Sequence, residues 1–203
     1  MARFDTLDDA TAARIASALQ RFVSVRAGET ASLQFSMSIV RVRPAALLGA
    51  EPPTRPAGEP GRDLLRDSGF WYHQIESAGR PIAHAVSRGV PPAGRSPSVV
   101  AYSDRPWLAR VIADGVARVD PLTVAGRIPD DARVRLLHAP TVLSRALLIA
   151  SGPVERPQEV FLPLHVRGAT AENGGLQGAS ADLMSRADVL RLFDVRPAFA
   201  AFP

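Results

Sequence analysis

The chain has no cysteine, no lysine and a single asparagine, Asn173, in 203 residues. Without thiols there is no disulfide, no thiolate nucleophile, no iron–sulfur cluster and no Cys-ligated zinc. Without an ε-ammonium there is no Schiff-base chemistry and no P-loop lysine. Arginine alone supplies the 24 basic residues that set a formal net charge of +4 and a pI near 10.8. Joint loss of lysine and asparagine is what a GC-rich coding sequence produces, and part of the high pI is arginine's own high pKa. The arginines are scattered, with no basic run, so they read as solvated surface charge and argue against a nucleic-acid partner.

Long apolar runs are missing too, so no membrane-spanning segment is expected. The N-terminal stretch MARFDTLDDATAARIASALQRF carries acids and an amphipathic pattern where a signal peptide would be basic and then apolar, which points to a cytoplasmic location. With 46% hydrophobic and 22% charged residues, the composition is that of a folded globular chain. One domain, 1–203, is expected, large enough to bury a core without metals.

Periodicity places the elements. Residues 7–22 read as a helix with Leu7, Thr11, Ile15, Ala18, Leu19 and Phe22 on one face, opened by Thr6 and Asp9 as a capping box. In SLQFSMSIVRVR, Leu33, Phe35, Met37 and Ile39 alternate with polar residues, the mark of a half-buried strand. SVVAY reads as a short strand, and Asp104 and Pro106 open a helix to Ala117. ARVRLLHA is a strand, while PTVLSRALLIASG fits either a short helix from Thr141 or a strand from Ser144. EVFLPLHV is a strand that Pro163 confines to an edge or a bulge. A helix over roughly 181–193 has a second possible start at Ser185 and Asp188. Together these elements predict an α+β fold, a mostly antiparallel sheet with about three helices. Two long Pro/Gly-rich loops interrupt it: about 43–63, with five prolines and three glycines, and 168–179, rich in glycine.

The segment FWYHQIESAGRPIAHAVSRG, residues 70–89, reads as a hairpin. A three-residue loop with Gly79 as a G1 bulge puts Tyr72 across from His84, beside Phe70, Ile82 and Val86. His73 then lies on the other face with Trp71, Ile75 and Ala83. A two-residue Ala78-Gly79 loop instead sets His73 opposite His84, but it needs alanine at positive φ. Two imidazoles are too few for a zinc site, and spacing alone does not bring His138 and His165 to them. No metal and no cofactor is assigned.

The Gly-rich loop between a strand and a helix has the arrangement that presents N–H groups to an anion, but it lacks G-x-x-x-x-G-K-[ST] and G-x-G-x-x-G. No G-x-S-x-G elbow couples the serines, histidines and acids. Asp104 reads as a cap and Asp130 and Asp131 as turn residues, so no catalytic residue is assigned. The C-terminal tail, 197–203, ends in Phe199 and Phe202, rings that either pack under the last helix or dock on a protein partner or a second copy. Missing catalytic motifs plus this tail and loop lead to a noncatalytic interaction or structural subunit of a bacterial-type assembly, with Phe199 and Phe202 as its interaction residues. The alternative is a small enzyme or ligand-binding domain with a pocket near the hairpin, lined by Tyr72, His73 and His84.

Overall fold

The computed structural model describes residues 3–4, 7–19, 30–42, 65–88, 99–104, 106–139, 144–152, 158–165 and 183–193. The described residues form α+β structure around one mixed, mostly antiparallel sheet of eight strands. In chain order these are β1 (Arg3–Phe4), β2 (Ala31–Val42), β3 (Leu65–Ser77), β4 (Arg80–Arg88), β5 (Val99–Ser103), β6 (Arg133–Ala139), β7 (Ser144–Ser151) and β8 (Gln158–His165). The helices are α1 (Asp9–Leu19), α2 (Pro106–Ala117), the short α3 (Val119–Val124) and α4 (Arg186–Phe193).

Strand order across the sheet is β5-β4-β3-β2-β6-β7-β8. Two antiparallel meanders, β2 to β5 and β6 to β8, meet at one parallel seam where Ile39, Val40 and Arg41 pair with Leu136, Leu137 and His138. Strand β1 extends that seam, pairing in parallel with Arg133 and Val134. A parallel pair needs a crossover, and the β3–β5 meander with α2 and α3 supplies it. Neither the seam nor β1 was expected from the alternation pattern, which carries no information about partner direction.

Each sheet face buries its own set of side chains because residues alternate along a strand. On one face, Met37, Ile39, Tyr72, Leu136 and Leu147 pack under Leu108 and Ile112 of α2 and Val119 and Leu122 of α3. Each fully buried aliphatic side chain contributes roughly 1.5–3 kcal/mol. On the other face, α1 sets Ile15 and Leu19 against Ile75, Ala83 and Ala85, and α4 sets Val189 in the cluster with Leu137, Leu148 and Phe161. Gly115 brings α2 close to β7 and β8: a Cβ there would meet the Leu164 and Leu147 side chains.

Local chemistry sets the element ends. Helix α1 starts at Asp9, later than the reading from residue 7, because Asp8 is the residue whose carboxylate accepts from the Thr11 N–H (2.9 Å) and hydroxyl (2.7 Å). For α4 the second start is used: the Asp188 N–H donates to Ser185 Oγ at 3.2 Å. Residues 144–151 are strand rather than helix. Pro163 sits on the edge strand β8, beside a register shift against β7. Phe161 and Met184 exchange two backbone hydrogen bonds, which cover part of that edge.

The hairpin turn is a two-residue Ala78-Gly79 loop with both residues at positive φ, 49° and 69°, in place of the favoured three-residue loop. A register shift between Ile75 and Glu76 then pairs Gln74 with His84 and Tyr72 with Val86. Neither register read from the sequence matches: the tight turn fixes one pairing and the bulge one residue later changes it. Tyr72 and His84 nevertheless share a face, and His73 has the opposite one. Residues 43–63, 168–179 and 197–203, with Phe199 and Phe202, lie outside the described residues.

Candidate functional site

The face under α2 is not filled to its end. Beyond Leu108, a cavity of about 440 Å³ opens between the helix and strands β2 to β7. Ile39, Phe70, Tyr72, Val86, Leu108 and Leu136 form an apolar floor and wall. The polar lining is Arg41, Arg88, Arg145, His84 and His138, with no carboxylate among the described lining residues.

Register explains how these cations converge. Arg41 on β2 is the partner of His138 on β6, and His138 is the partner of Arg145 on β7. Directly paired residues on neighbouring strands project to the same face from backbones about 4.8 Å apart, so the His138 side chain leaves the sheet between those of Arg41 and Arg145. On β8 the register partner of Arg145 is His165, whose side chain lies outside the described residues. Like charges placed opposite one another are unfavourable, and among the described residues no carboxylate is ion-paired to Arg41, Arg88 or Arg145. Arg41 reaches over the Phe70 ring, its guanidinium carbon 4.8 Å from the centroid. A bulge in β3 serves this contact: Gly69 has φ of 67°, and the Ser68 hydroxyl donates to the Ile39 carbonyl at 2.5 Å.

An aromatic ladder closes the rear of the cavity. Phe4, Phe35, Tyr72 and His84 follow one another across β1 to β4 with centroids 5.7, 6.4 and 5.6 Å apart. The Tyr72 hydroxyl donates to Gln74 Oε1 at 2.5 Å, and Gln74 Nε2 donates to the Ala109 carbonyl at 3.2 Å. Tyr72 is therefore a wall: its proton is committed, and burial raises its pKa further. His84 is different. Its ring stacks on Tyr72, and among the described residues its buried Nδ1 has no hydrogen-bond partner.

Burial pushes His84 and His138 down to about 4, and the Arg145 charge adds to the effect on both, with Arg41 acting on His138 as well. Both imidazoles are neutral at pH 7. Arg145 is itself partly desolvated, which lowers its pKa, though a guanidinium keeps its charge.

His73 lies away from this cavity, on the α1 and α4 face. Its Nδ1 is 2.8 Å from the Ser36 hydroxyl and its Nε2 is 2.8 Å from the Ser87 hydroxyl, so one ring nitrogen donates and the other accepts. Of the three ligand residues read from the hairpin, the structure thus brings Tyr72 and His84 together and separates His73. It adds Arg41, Arg88, His138 and Arg145, none of which a local motif announces. Among the described residues no cluster of three histidines and carboxylates is placed to hold a metal, and no helix is long and apolar enough to cross a membrane.

A larger concavity, about 920 Å³, lies on the opposite face. Its lining balances Arg3, Arg133 and Arg135 against Asp67, Asp131 and Glu159, and Glu159 already pairs with Arg186. Its lining carries both signs of charge, whereas the described lining of the smaller cavity carries only cations and imidazoles. No protein-family model, no curated protein and no solved structure matches the chain.

Proposed function

We propose that this protein is a noncatalytic binding module for a small organic anion, held in the cavity between α2 and the sheet. One observation carries the reading: three arginines and two imidazoles line an apolar-floored cavity with no carboxylate among its described lining residues. Its volume suits a molecule of one or two rings. Guanidinium groups recognise carboxylate or phosphate through paired N–H donors, while the floor and the Tyr72–His84 stack suit an apolar body. Among the described lining residues the one hydroxyl, that of Tyr72, is committed to Gln74, so the proposal is binding rather than turnover.

Calorimetric titration with naphthoate and with its neutral analogue naphthalene methanol tests the reading. Naphthoate is expected to bind the native chain, to bind Arg145→Met at least tenfold more weakly, and to outcompete the alcohol. Equal affinity of the two compounds, or equal affinity of native and variant chains, would sink it. The protein-partner reading rests on the Pro-rich loop and on Phe199 and Phe202, so it draws no support from the described residues.

A further inference from the structure

We propose that the head group of the bound anion sits on the Arg41–His138–Arg145 row and that binding takes up a proton on His138. This inference rests on the anion-binding reading and adds its regulation: the site holds its ligand more tightly as pH falls.

The geometry supplies the argument. Protonating His138 would add a third cation beside two arginines in register with it, whose charges already oppose its protonation. The imidazole is also largely removed from water. Both effects keep it neutral. An oxyanion held by Arg41 and Arg145 offsets the repulsive part of this balance, because a negative charge within about 4–6 Å favours the protonated ring. The protonated ring then donates a further hydrogen bond to the same oxyanion. The other groups facing His138 across the cavity do not compete for the role. Tyr72 has its proton on Gln74, Arg88 and Arg41 are permanently charged, and α2 contributes only Leu108. His84 lines the same cavity from β4, stacked on the rear ladder rather than placed between the two arginines.

Sign and size follow from linkage. If the filled site has a higher His138 pKa than the empty one, the complex binds more protons than the free protein, and affinity rises as pH falls. A pKa rise of about two, typical for an adjacent opposite charge, gives roughly fourfold tighter binding at pH 5.5 than at pH 8. The effect is confined to acidic solution because the empty-site pKa is about 4 and a rise of about two still leaves the filled-site value below neutrality.

Anilinonaphthalene sulfonate is the probe, since its sulfonate stays ionised throughout this range and any pH dependence belongs to the protein. Its fluorescence on binding is followed between pH 8 and pH 5.5 with the native chain, Arg145→Met and His138→Gln, and naphthoate and naphthyl phosphate are used as displacers to separate carboxylate from phosphate preference. Expected are fourfold tightening in the native chain and a flat profile in His138→Gln. In the native chain, the His138 ring proton is expected to titrate at higher pH by NMR when probe is present. The NMR arm needs no variant and stands if His138→Gln fails to fold. Arg145-dependent binding that is flat with pH, or a His138 titration unmoved by probe, overturns the proton uptake and leaves the anion reading standing. Binding indifferent to Arg145 overturns both.

Discussion

The three histidines whose side chains are described, one buried and two half-buried, occupy two different kinds of site. His73, on the α1 and α4 face, has a serine hydroxyl on each ring nitrogen and no charged neighbour among its hydrogen-bond partners. His84 and His138, on the α2 face, line a cavity with arginines; one has a buried nitrogen without a partner among the described residues, and the other is in register with an arginine on each neighbouring strand. Burial lowers all three to about 4. The pKa alone therefore does not separate them. What separates them is satisfaction: His73 completes a hydrogen-bonded tie across β2, β3 and β4, whereas the His138 row gains a favourable partner only when something anionic arrives.

The sharpest way to break this comparison is to remove each ring. His73→Ala leaves a hole and removes the partner of the buried Ser87 and half-buried Ser36 hydroxyls, and is expected to cost about 3 kcal/mol at pH 7, against about 1 kcal/mol for His138→Ala beside an existing cavity. The pH dependence of the His73 cost has a definite sign. The folded pKa lies below the unfolded value, so the unfolded chain takes the proton first; stability is complete above about pH 6.5 and falls as pH drops toward 4. The native chain gives up roughly 2 kcal/mol at this residue by pH 5, and the alanine variant does not. The gap should then narrow to about 1 kcal/mol. Urea unfolding at the two pH values measures it; equal costs for the two alanine variants would erase the distinction.

Much of the fold was legible because alternation and capping are local. Leu33, Phe35, Met37 and Ile39 announced β2, Pro163 announced an edge, and Ser185 with Asp188 marked the start of α4. Tyr72 and His84 were legible as a pair because one hairpin carries both, and their shared face survives the two-residue turn and the bulge that together moved the register. The arginine row was not legible. Arg41, His138 and Arg145 are drawn from three strands, and only the parallel β2–β6 seam sets them side by side; the seam depends on a crossover through half the chain, which no period-two pattern encodes. Read one at a time, these arginines were indistinguishable from solvated surface charge.

A second comparison contrasts function with stability at one residue. Arg145 is partly desolvated without an ion-paired carboxylate among the described residues, so the empty protein is less stable for its presence. Arg145→Met keeps the length of the side chain, removes the charge, and is expected to raise stability by about 1 kcal/mol in the same variant that loses anion binding. Thermal unfolding without ligand checks this. A fall in stability would mean that Arg145 is already answered by a partner, and the contrast between a satisfied face and a waiting one would lose its charge argument.

The smallest expected effect concerns the turn that hands His73 to one face and His84 to the other. Ala78 holds φ of 49°, a conformation that asparagine tolerates better than alanine. Asn-Gly is the preferred pair for a tight hairpin turn of this kind. Ala78→Asn is therefore expected to stabilise the hairpin by about 0.5–1 kcal/mol, chiefly by relieving backbone strain. Because the turn remains two residues long, the bulge between Ile75 and Glu76 stays where it is and both histidines keep their faces. Stability and the ring-proton shifts of His73 and His84 report the two halves of this claim separately. A stabilised variant with shifted rings would mean that Ala78, through its strain, helps to place the bulge, and that the division of the two histidines depends on the turn rather than on the strands around it.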